Sequence, residues 1–468
     1  MVWLRFRWVY CQLDALCRYF PSSIRRALDE LPDNLDDTYL RTLQAIPKQK
    51  RHHAHRLFQS LVAAIRPLRV EELAEIFTIA FDADASDNFV EDWRPENPEE
   101  AVLSACSTLI SVIDDRGSKI VQFSHFSVKE FLTSDRFRTS GIGNNFHYYI
   151  PLDDAHAVLA RACLTVLLQL DETTDKNRLA TFPLVSYAAR HWVKHAKFGD
   201  VASRIQDAME QLFEPNKPYF GAWIWIHDVD WGYRLTINDL AGRPSRPRTT
   251  PLYYAAVCGF VGLAKHLVVT HGEDINAKCG RHGSPLHAAS RKGDLDVARL
   301  LLDHGADVNL RNERGIIPLR IAYEGRHPEV MQLLLEHGAD VNTRGGNTFG
   351  TLLHDASYGR KDEMIHLLLQ HDAEVNATGD EKSTPLHFAS RWGHTKVAQI
   401  LLEYGADVYA EDTQYNTPID YATRYGHQVA RVLLEYGENV RVSRYDAGGE
   451  REEKFSTLSM SSTSYNGT

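Results

Sequence analysis

No run of apolar residues in this 468-residue sequence approaches the roughly 18 residues that a membrane-spanning helix requires, which excludes a transmembrane protein. Cysteine is scarce, with six residues and no C-x-x-C pair, so the sequence indicates neither a disulfide framework nor a structural zinc site. Sparse cysteine of this kind favours a reducing compartment. We therefore expect a cytoplasmic protein, with a nuclear location as the alternative.

A basic excess is also lacking. Lys and Arg number 52 against 62 Asp and Glu, and the resulting net charge of -10 argues against nucleic-acid binding by the chain as a whole. Hydrophobic residues make up 43% and charged residues 24%, which is typical of a globular protein with a buried core. The length predicts about three domains, or one domain followed by a repeat array.

The first residues lack the features of a signal peptide. Residues 1–12 are apolar, but Arg5 and Arg7 interrupt them and no small-residue cleavage site follows. Residues 1–18 are instead predicted to form an amphipathic helix that has no capping residue in front of it. We therefore expect the chain to be part of a longer gene product.

The second half of the sequence repeats with a period of about 33 residues. Each repeat contains a Thr-Pro-Leu-His-like tetrapeptide, whose leucine position recurs at spacings of 34, 33, 34, 33 and 33 residues. In five of the six units an apolar run begins fourteen residues later, and a glycine and an Asp-Val-Asn-like tripeptide usually follow. The six anchor positions are Leu252, Leu286, Leu319, Leu353, Leu386 and Ile419.

These features resemble the ankyrin repeat, and the resemblance covers about residues 248–440. It implies a solenoid of helix pairs, in which proline opens each first helix and a glycine ends the second. Gly325 and Gly359 come one position early and Leu352 replaces the proline, so the middle of the array is expected to be less regular. Asp372 replaces a helix-ending glycine, and we expect it to adopt the same left-handed conformation.

Several histidines could suggest a metal or catalytic site. His287, His354 and His387 belong to the tetrapeptide, and because they recur with the repeat they are interpreted as structural hydrogen-bonding residues. His191 and His195 have a zinc-like i, i+4 spacing, but no third ligand with a positioned carboxylate follows. We therefore predict no metal and no cofactor.

The first half is predicted to be mostly helical, with a winged-helix outline and a small β-hairpin over residues 1–150. Helices are expected at 1–18, 22–30, 35–45, 49–65, 70–80, 99–108 and 127–133, and strands at 109–113 and 119–123. The turn-rich segment Asp114-Asp115-Arg116-Gly117 is expected to join the two strands.

Four segments carry a second resemblance. They are FRWVYCQLDAL (6–16), LDELPDNLDDTY (28–39), RPLRVEELAE (66–75) and VQFSHFSVKEFL (121–132), and YAARHW (187–192) is a further match. They are similar to the region that follows the nucleotide-binding core in fungal NACHT–ankyrin proteins, the NOD-like-receptor relatives among the STAND NTPases. The resemblance implies a sensor or signalling protein, whose ATPase module would order oligomerisation while its repeats bind a ligand.

The phosphate-binding signature of that family is absent. A P-loop needs G-x-x-x-x-G-K-[ST], and no Gly-Lys dipeptide occurs in the sequence. We therefore assign no nucleotide-binding residue and expect the chain to bind neither ATP nor GTP. In STAND proteins a winged-helix histidine can contact the nucleotide. His125 would correspond to it, but without the core it is interpreted as a structural residue at the end of the hairpin.

A winged helix can also bind DNA through a basic recognition helix. The candidate helix here opens with Glu99 and Glu100, which would repel phosphates. The basic cluster at residues 48–56 is interpreted as a solvated helix face beside Leu57 and Leu61. No nucleic-acid contact is therefore predicted.

Residues 151–245 are predicted to form a helical connector, with helices at 155–170, 179–195 and 201–212. Trp223, Trp225 and Trp231 are expected to cover the open end of the first repeat. Residues 243–250 are predicted to be a linker, and residues 441–468, rich in Ser and Thr, are expected to form a disordered tail.

The predicted function is a non-enzymatic protein–protein interaction scaffold or sensor module, part of a fungal NLR-like signalling protein. The alternative is a STAND NTPase switch whose nucleotide-binding core lies outside this sequence, and the two differ in whether the upstream gene encodes an in-frame P-loop. A nucleic-acid-binding winged helix is a third, weaker hypothesis. No serine, cysteine or paired-carboxylate signature suggests an enzyme, and no small-molecule substrate is predicted.

The partner-binding surface is predicted to follow the ends of the first helices and the adjoining fingers, since the family leaves residues five and six after the anchor free to vary. Several of these residues are Arg, Tyr or Trp, which concentrate binding energy at interfaces. The alternative is that Tyr358 and Trp392 only pack against each other across neighbouring repeats. The predicted partner-binding residues are Arg291, Lys292, Tyr358, Arg391, Trp392, Arg424 and Tyr425.

Overall fold

The structure is a computed structural model that describes residues 35–81, 88–134, 148–230, 249–344 and 350–446. The chain forms two compact units, which divide after Asn312. The helices expected over residues 1–30, most of the linker at 243–250, and Trp231 lie outside the described residues.

Residues 35–81 and 88–134 form helices with a three-stranded and a two-stranded antiparallel sheet, which confirms the winged-helix expectation. The helices are α1 (Leu35–Gln44), α2 (Arg51–Ala63), α3 (Val70–Ile76), α4 (Pro98–Cys106) and α5 (Phe126–Thr133). The strands are β1 (Leu68–Arg69), β2 (Ile79–Ala80), β3 (Asn88–Phe89), β4 (Ile110–Asp115) and β5 (Ser118–Phe123). Strand β5 lies between β1 and β4, so the last strand of the wing pairs with the short strand between α2 and α3.

The hairpin of β4 and β5 confirms the predicted strands and their turn. Arg116 and Gly117 both have positive φ, 52° and 85°, which matches the twist that a two-residue hairpin turn requires. The Gly117 N–H donates to Asp114 Oδ1 at 2.8 Å. Val121 of β5 is buried against the helices and pairs with both Leu68 and Val112.

The segment after Val70 differs from its prediction. A helix was expected over 70–80, but α3 ends at Ile76 and Ile79–Ala80 instead pairs with Asn88–Phe89. Strand β1 was not predicted, because two residues are too short to show an alternating pattern. In both segments the backbone conformation depends on pairing with a strand that is distant in sequence or follows a loop.

The connector forms six helices within residues 148–230. They are α6 (Leu152–Leu167), α7 (Lys176–Ala180), α8 (Val185–Ala196), α9 (Val201–Arg204), α10 (Gln206–Leu212) and α11 (Pro218–Ile226). The predicted helix at 179–195 is interrupted between Ala180 and Val185, and the one at 201–212 is broken at Ile205. Helix α11 was not predicted, because it is apolar nearly all round and shows no amphipathic period.

Trp223 on α11 covers part of the first repeat, as expected. Its indole packs 6.0 Å from the ring of Tyr254 and 5.2 Å from that of Trp192, and its Nε1–H donates to the Ala189 carbonyl at 3.0 Å. The acidic segment after α11 completes the cover, because Tyr254 donates to Asp228 and Tyr253 donates to Asp230. Sequence reasoning missed these two carboxylates.

The repeats are helix pairs at the predicted period. The first unit contains α12 (Pro251–Cys258), α13 (Val261–Val269), α14 (Pro285–Lys292) and α15 (Leu295–Asp303). The second unit contains α16 (Pro318–Gly325), α17 (Pro328–Glu336), α18 (Leu352–Tyr358), α19 (Asp362–Gln370), α20 (Pro385–Arg391), α21 (Thr395–Glu403), α22 (Pro418–Arg424) and α23 (Val429–Asp446). Each first helix begins one residue before its anchor, at the proline or, in α18, at Leu352.

The last helix departs from the repeat pattern. Gly437 was predicted to end it, but α23 passes through this glycine and continues to Asp446. The helix therefore extends six residues into the segment expected to be a disordered tail, while residues 447–468 lie outside the described part of the chain. At most of the other equivalent glycines φ is positive and the helix ends, as predicted.

The apolar run on each second helix forms the core of its repeat. Leu301 of α15 and Leu334 of α17 are both fully buried. We predict that Leu301→Ala or Leu334→Ala lowers the free energy of unfolding by about 2–5 kcal/mol, because truncation of a buried leucine leaves a cavity. Thermal and denaturant melts should show the loss. Leu434→Ala is a matched control, since that leucine is 55% exposed, and an equal effect at all three sites would contradict the argument.

The early glycines of the middle repeats leave two arginines in the left-handed region. Arg326 and Arg360 have φ of 62° and 52° because Gly325 and Gly359 precede the position that needs positive φ. We predict that Arg326→Gly raises the free energy of unfolding by about 0.5–1 kcal/mol, since glycine adopts this conformation without steric cost. Arg326→Ala, which keeps a Cβ, should give no such gain in a denaturant melt. Equal stability of the two variants would refute the explanation.

Candidate interaction surface

The three tetrapeptide histidines hold the starts of the first helices α14, α18 and α20. In α20, the Thr384 N–H donates to His387 Nδ1 at 3.0 Å, and the Thr384 hydroxyl lies 2.8 Å from the same nitrogen. The His387 Nε2 lies 3.1 Å from the carbonyl oxygen of Asn416 in the following finger. Since Nδ1 accepts and Nε2 faces a carbonyl, the ring is neutral with its proton on Nε2.

The same arrangement recurs, which confirms the structural interpretation of these histidines. His354 bonds to Thr351 and lies 3.1 Å from the Ser383 carbonyl, and His287 bonds to Ser284. All three rings are buried. In the last repeat Asp420 replaces the histidine and accepts from the Thr417 N–H and hydroxyl.

The other ends of the first helices carry exposed aromatic residues. Tyr358 and Trp392, on neighbouring repeats, pack edge to face with ring centroids 5.3 Å apart and an interplanar angle of 87°. Tyr358 is 43% exposed and Trp392 is 50% exposed. The two rings therefore pack against each other and also present an open surface, so mutual packing does not remove them from solvent.

Two histidines fix the backbone beneath these aromatic residues. His394 Nε2 lies 3.0 Å from the Tyr358 carbonyl oxygen, and His427 Nε2 lies 3.0 Å from the Arg391 carbonyl oxygen. Each bond joins the turn of one repeat to the first-helix end of the preceding repeat. The backbone that carries the exposed side chains is therefore hydrogen-bonded to the following repeat at both Tyr358 and Arg391.

Arg391 and Arg424 flank one tyrosine. Their guanidinium carbons lie 5.8 Å and 5.9 Å from the centre of the Tyr421 ring, and both arginines are exposed. The Tyr421 hydroxyl donates to the buried Asp412 at 2.6 Å, which fixes the ring. Tyr425, 49% exposed, follows at the end of the same helix.

The remaining predicted residues lie in the first unit. Arg291 and Lys292 are exposed at the end of α14, immediately before Gly293, whose φ of 73° ends the helix. The structure thus places all seven predicted residues on the surface, five of them in the second unit. Their role in binding a partner stays a prediction.

Sequence reasoning missed three exposed residues of the second unit. Arg326 and Arg360 lie in the turns after first helices, and Tyr415 is 80% exposed at a finger with φ of 60°. The early positions of Gly325 and Gly359 could have indicated the two arginines, because the left-handed conformation then falls on the residue after each glycine.

The other candidates of the first half have structural partners. His125 caps α5, since its Nδ1 accepts from the Ser127 N–H at 3.2 Å, and Ser127 Oγ lies 2.8 Å from the Tyr39 hydroxyl. In the basic cluster, Arg56 donates to the Ile79 carbonyl at 2.8 Å. Glu99 of the candidate recognition helix forms an ion pair with Lys119 of the wing.

Of the two histidines with the zinc-like spacing, His195 has a structural role, whereas the buried Nδ1 of His191 has no hydrogen-bond partner among the described residues. His195 is fully buried, its Nδ1 lies 2.8 Å from His156 Nδ1, and its Nε2 lies 2.8 Å from the Tyr187 hydroxyl. Both ring nitrogens are engaged in hydrogen bonds, so neither is available to a metal ion. Burial lowers the pKa of His195 to about 3.

The fold and these surfaces define a winged-helix domain followed by ankyrin repeats. The family described as ankyrin repeats (3 copies) matches residues 232–312, 252–345, 286–379 and 353–444. The family described as the winged helix domain of GPI inositol-deacylase matches residues 40–146. None of the described helices combines the length and the apolar character that a bilayer span requires.

Two known proteins are similar to parts of the chain. "Azaphilone pigments biosynthesis cluster protein L" of Monascus ruber is 30% identical over 288 residues, which is 58% of this chain. The chain spans 60% of the length of that relative. The crystal structure of the ankyrin repeat domain of Bcl-3, described as a unique member of the IkappaB protein family, is 33% identical, with a TM-score of 0.37. That alignment covers 40% of this chain and 82% of the Bcl-3 chain.

Protonation of the tetrapeptide histidines should destabilise the second unit. Burial lowers the pKa of His354 to about 4, with Arg344 contributing and Asp380 opposing, and burial also lowers the pKa of His387. In the unfolded chain these histidines have the ordinary pKa of about 6.5. Between about pH 4 and about pH 6.5 the unfolded state therefore binds more protons at His354 than the folded state does. Stability is fully present above about pH 6.5 and falls as the pH drops toward about 4, by up to about 1.4 kcal/mol per pH unit for each such group.

Denaturant melts from pH 7.5 to about 4.5 measure this dependence. His354→Gln keeps a polar side chain but cannot titrate, so its stability should fall less steeply with acid than that of the parent. Parallel pH profiles for parent and variant would show that His354 does not contribute.

Proposed function

We propose that this chain is a non-enzymatic protein–protein interaction module. It binds a partner protein through the first-helix ends of its repeats. The contacting residues are Tyr358, Arg391, Trp392, Arg424 and Tyr425 in the second unit, with Arg291 and Lys292 in the first. The observation that carries the proposal is the exposed Tyr358–Trp392 pair on a hydrogen-bonded backbone.

The surface around Tyr358 and Trp392 is held in place before a partner binds. Tyr358 and Trp392 pack against each other, and His394 holds the backbone at Tyr358. These two side chains therefore lose little conformational entropy when a partner binds. Aromatic side chains also offer large contact areas with few rotatable bonds. A well-ordered apolar patch with arginine beside it favours recognition of a protein surface.

The finer proposal is that the module belongs to a fungal NOD-like-receptor-type signalling protein in the cytoplasm or nucleus. The resemblance of residues 66–75 and 121–132 and the winged-helix match at 40–146 ahead of the repeats support it. The four cysteines within the described residues form no disulfide, which fits a reducing compartment. The acidic start of α4 supports a role without nucleic acid.

A STAND NTPase switch is the second candidate, favoured by the same winged-helix match. In that case a nucleotide-binding core would be encoded upstream, and this chain would act as its regulatory and ligand-binding part. Sequencing of the transcript upstream of the present first codon distinguishes the two, because only the switch requires an in-frame P-loop.

The interaction proposal is tested with the double variant Arg391→Ala, Trp392→Ala. Immobilised parent chain should capture a specific set of proteins from cells of its source, and the double variant should lose them by at least about tenfold, as expected for two hot-spot residues. Both side chains are exposed, Trp392 by 50%, so the melting temperature should change little.

Arg431→Ala is the matched control, since Arg431 is an exposed arginine on the second helix of the last repeat. It should capture the same proteins as the parent. Undiminished capture by the double variant, or a loss that follows its unfolding, rejects the proposed surface.

A further inference from the structure

The second unit carries one exposed arginine at the first-helix end or following turn of each repeat. These four residues, here called the arginine strip, are Arg326, Arg360, Arg391 and Arg424. Two of them, Arg391 and Arg424, belong to the proposed binding surface, and the other two extend it to the preceding repeats.

The arginine strip carries uncompensated charge. Within residues 313–344 and 350–446, none of its four guanidinium groups forms an ion pair, and the hydrogen bond of Arg424 goes to the neutral amide oxygen of Asn416 at 3.1 Å. Other cations of this unit do have carboxylate partners. They are Arg320 with Asp355, Lys396 with Asp362, and Arg431 with Glu435.

A neighbouring lysine shows the effect of this charge. Lys361 lies next to Arg360 in sequence, and its ammonium group sits 3.7 Å from the centre of the Tyr323 ring. Burial lowers the pKa of Lys361 and the nearby Arg326 guanidinium lowers it further, while the carboxylates of Asp355 and Glu324 oppose the shift. The strip thus presents four exposed arginines that form no ion pair within the described part of this unit, although the chain as a whole carries a net charge of -10.

Aromatic rings lie among these arginines. Tyr358 and Trp392 are at the ends of the helices that lead to or carry Arg360 and Arg391, and Tyr425 follows Arg424 directly. Guanidinium groups bind carboxylates bidentately, and the exposed rings can cover an apolar side chain. The surface thus combines one recognition element for acidic groups with one for an apolar residue.

The charges of the fingers favour a peptide over a nucleic acid. Asp380, Glu381 and Glu411 are exposed on fingers of the same unit. A continuous phosphate backbone would be repelled by these carboxylates wherever it crossed them, whereas a peptide can place acidic side chains only at the arginines.

We infer that the arginine strip binds an extended acidic segment of a partner protein, whose Asp or Glu side chains contact the arginines while an apolar side chain packs on Tyr358 and Trp392. This inference rests on the proposed interaction function and specifies the chemistry of the partner. Uncompensated positive charge would also steer such a segment toward the surface and make its association salt-dependent.

The test uses the full chain and a fluorescein-labelled peptide in which Asp and Glu alternate with Ser around a central Leu. Matched peptides carry Asn and Gln, or Lys, at the acidic positions. Fluorescence anisotropy should show saturable binding of the acidic peptide only, with Kd rising at least about tenfold between about 0.05 M and about 0.3 M NaCl. Equal binding of the neutral peptide would overturn the inference.

Charge variants locate the binding to the strip. The double variant Arg391→Gln, Arg424→Gln should raise Kd at least about tenfold, whereas Arg431→Gln should leave it unchanged. Arg360→Gly removes a charge while relieving a positive φ, so a weaker affinity in this variant, measured with an unchanged or higher melting temperature, cannot be due to unfolding. Parent-like affinity in both strip variants would refute the assignment.

A single-stranded oligonucleotide of similar length is the competing probe. If it binds more tightly than the acidic peptide, the strip is a nucleic-acid site and the inference is wrong. The two proposals are also separable. If captured partners are lost by Trp392→Ala but retained by the double Gln variant, the interaction function stands and the acidic chemistry fails. If neither variant affects capture, the interaction surface itself is rejected.

Discussion

The two central repeats of the second unit depend on a neutral imidazole that bonds in two directions. His387 accepts from the first turn of its own helix through Nδ1 and faces the carbonyl of the following finger through Nε2. No helix pair of this size buries its apolar faces alone, so the bond to the next repeat and the packing of the leucine run act together. A proton on Nδ1 would face the Thr384 N–H, so that two donors would oppose each other and this hydrogen bond would be lost.

This constraint also determines where the candidate surface lies. Because the histidine fixes the beginning of α18 and of α20, and each of these helices is only seven residues long, their ends are fixed as well. His394 and His427 then hold the carbonyls at those ends. The side chains of Tyr358 and Trp392 are consequently presented by a rigid backbone, although they are half exposed themselves.

Electrostatics separates the structural cations from those available for recognition. Arg320, which takes the place of the tetrapeptide histidine in its repeat, is buried and paired with Asp355. The arginines of the strip are exposed, and Arg391 and Arg424 flank the ring of Tyr421 without an ion pair among the described residues. Acidic residues outnumber basic residues in the sequence. The positive strip is therefore a local property of the first-helix ends and the turns that follow them.

Local backbone requirements explain what the sequence determined. The proline, alanine, leucine and glycine positions of the repeat each meet a requirement of the local backbone or of the adjacent helix. The sequence therefore placed the first helices within a residue of their anchors. It also correctly predicted the left-handed conformation of Asp372. The wing hairpin was equally visible, because Asp114, Asp115 and Gly117 are residues that favour turns between two strands.

Only the tertiary structure decided the features that depend on distant partners. Strand β1 exists because Leu68 pairs with Val121, and Ile79 leaves the predicted helix to pair with Phe89. The continuation of α23 through Gly437 likewise overrides a local signal. The exposure of Trp392 and the missing carboxylates around the described arginine strip depend on which side chains the fold brings together, and a one-dimensional pattern does not contain that information.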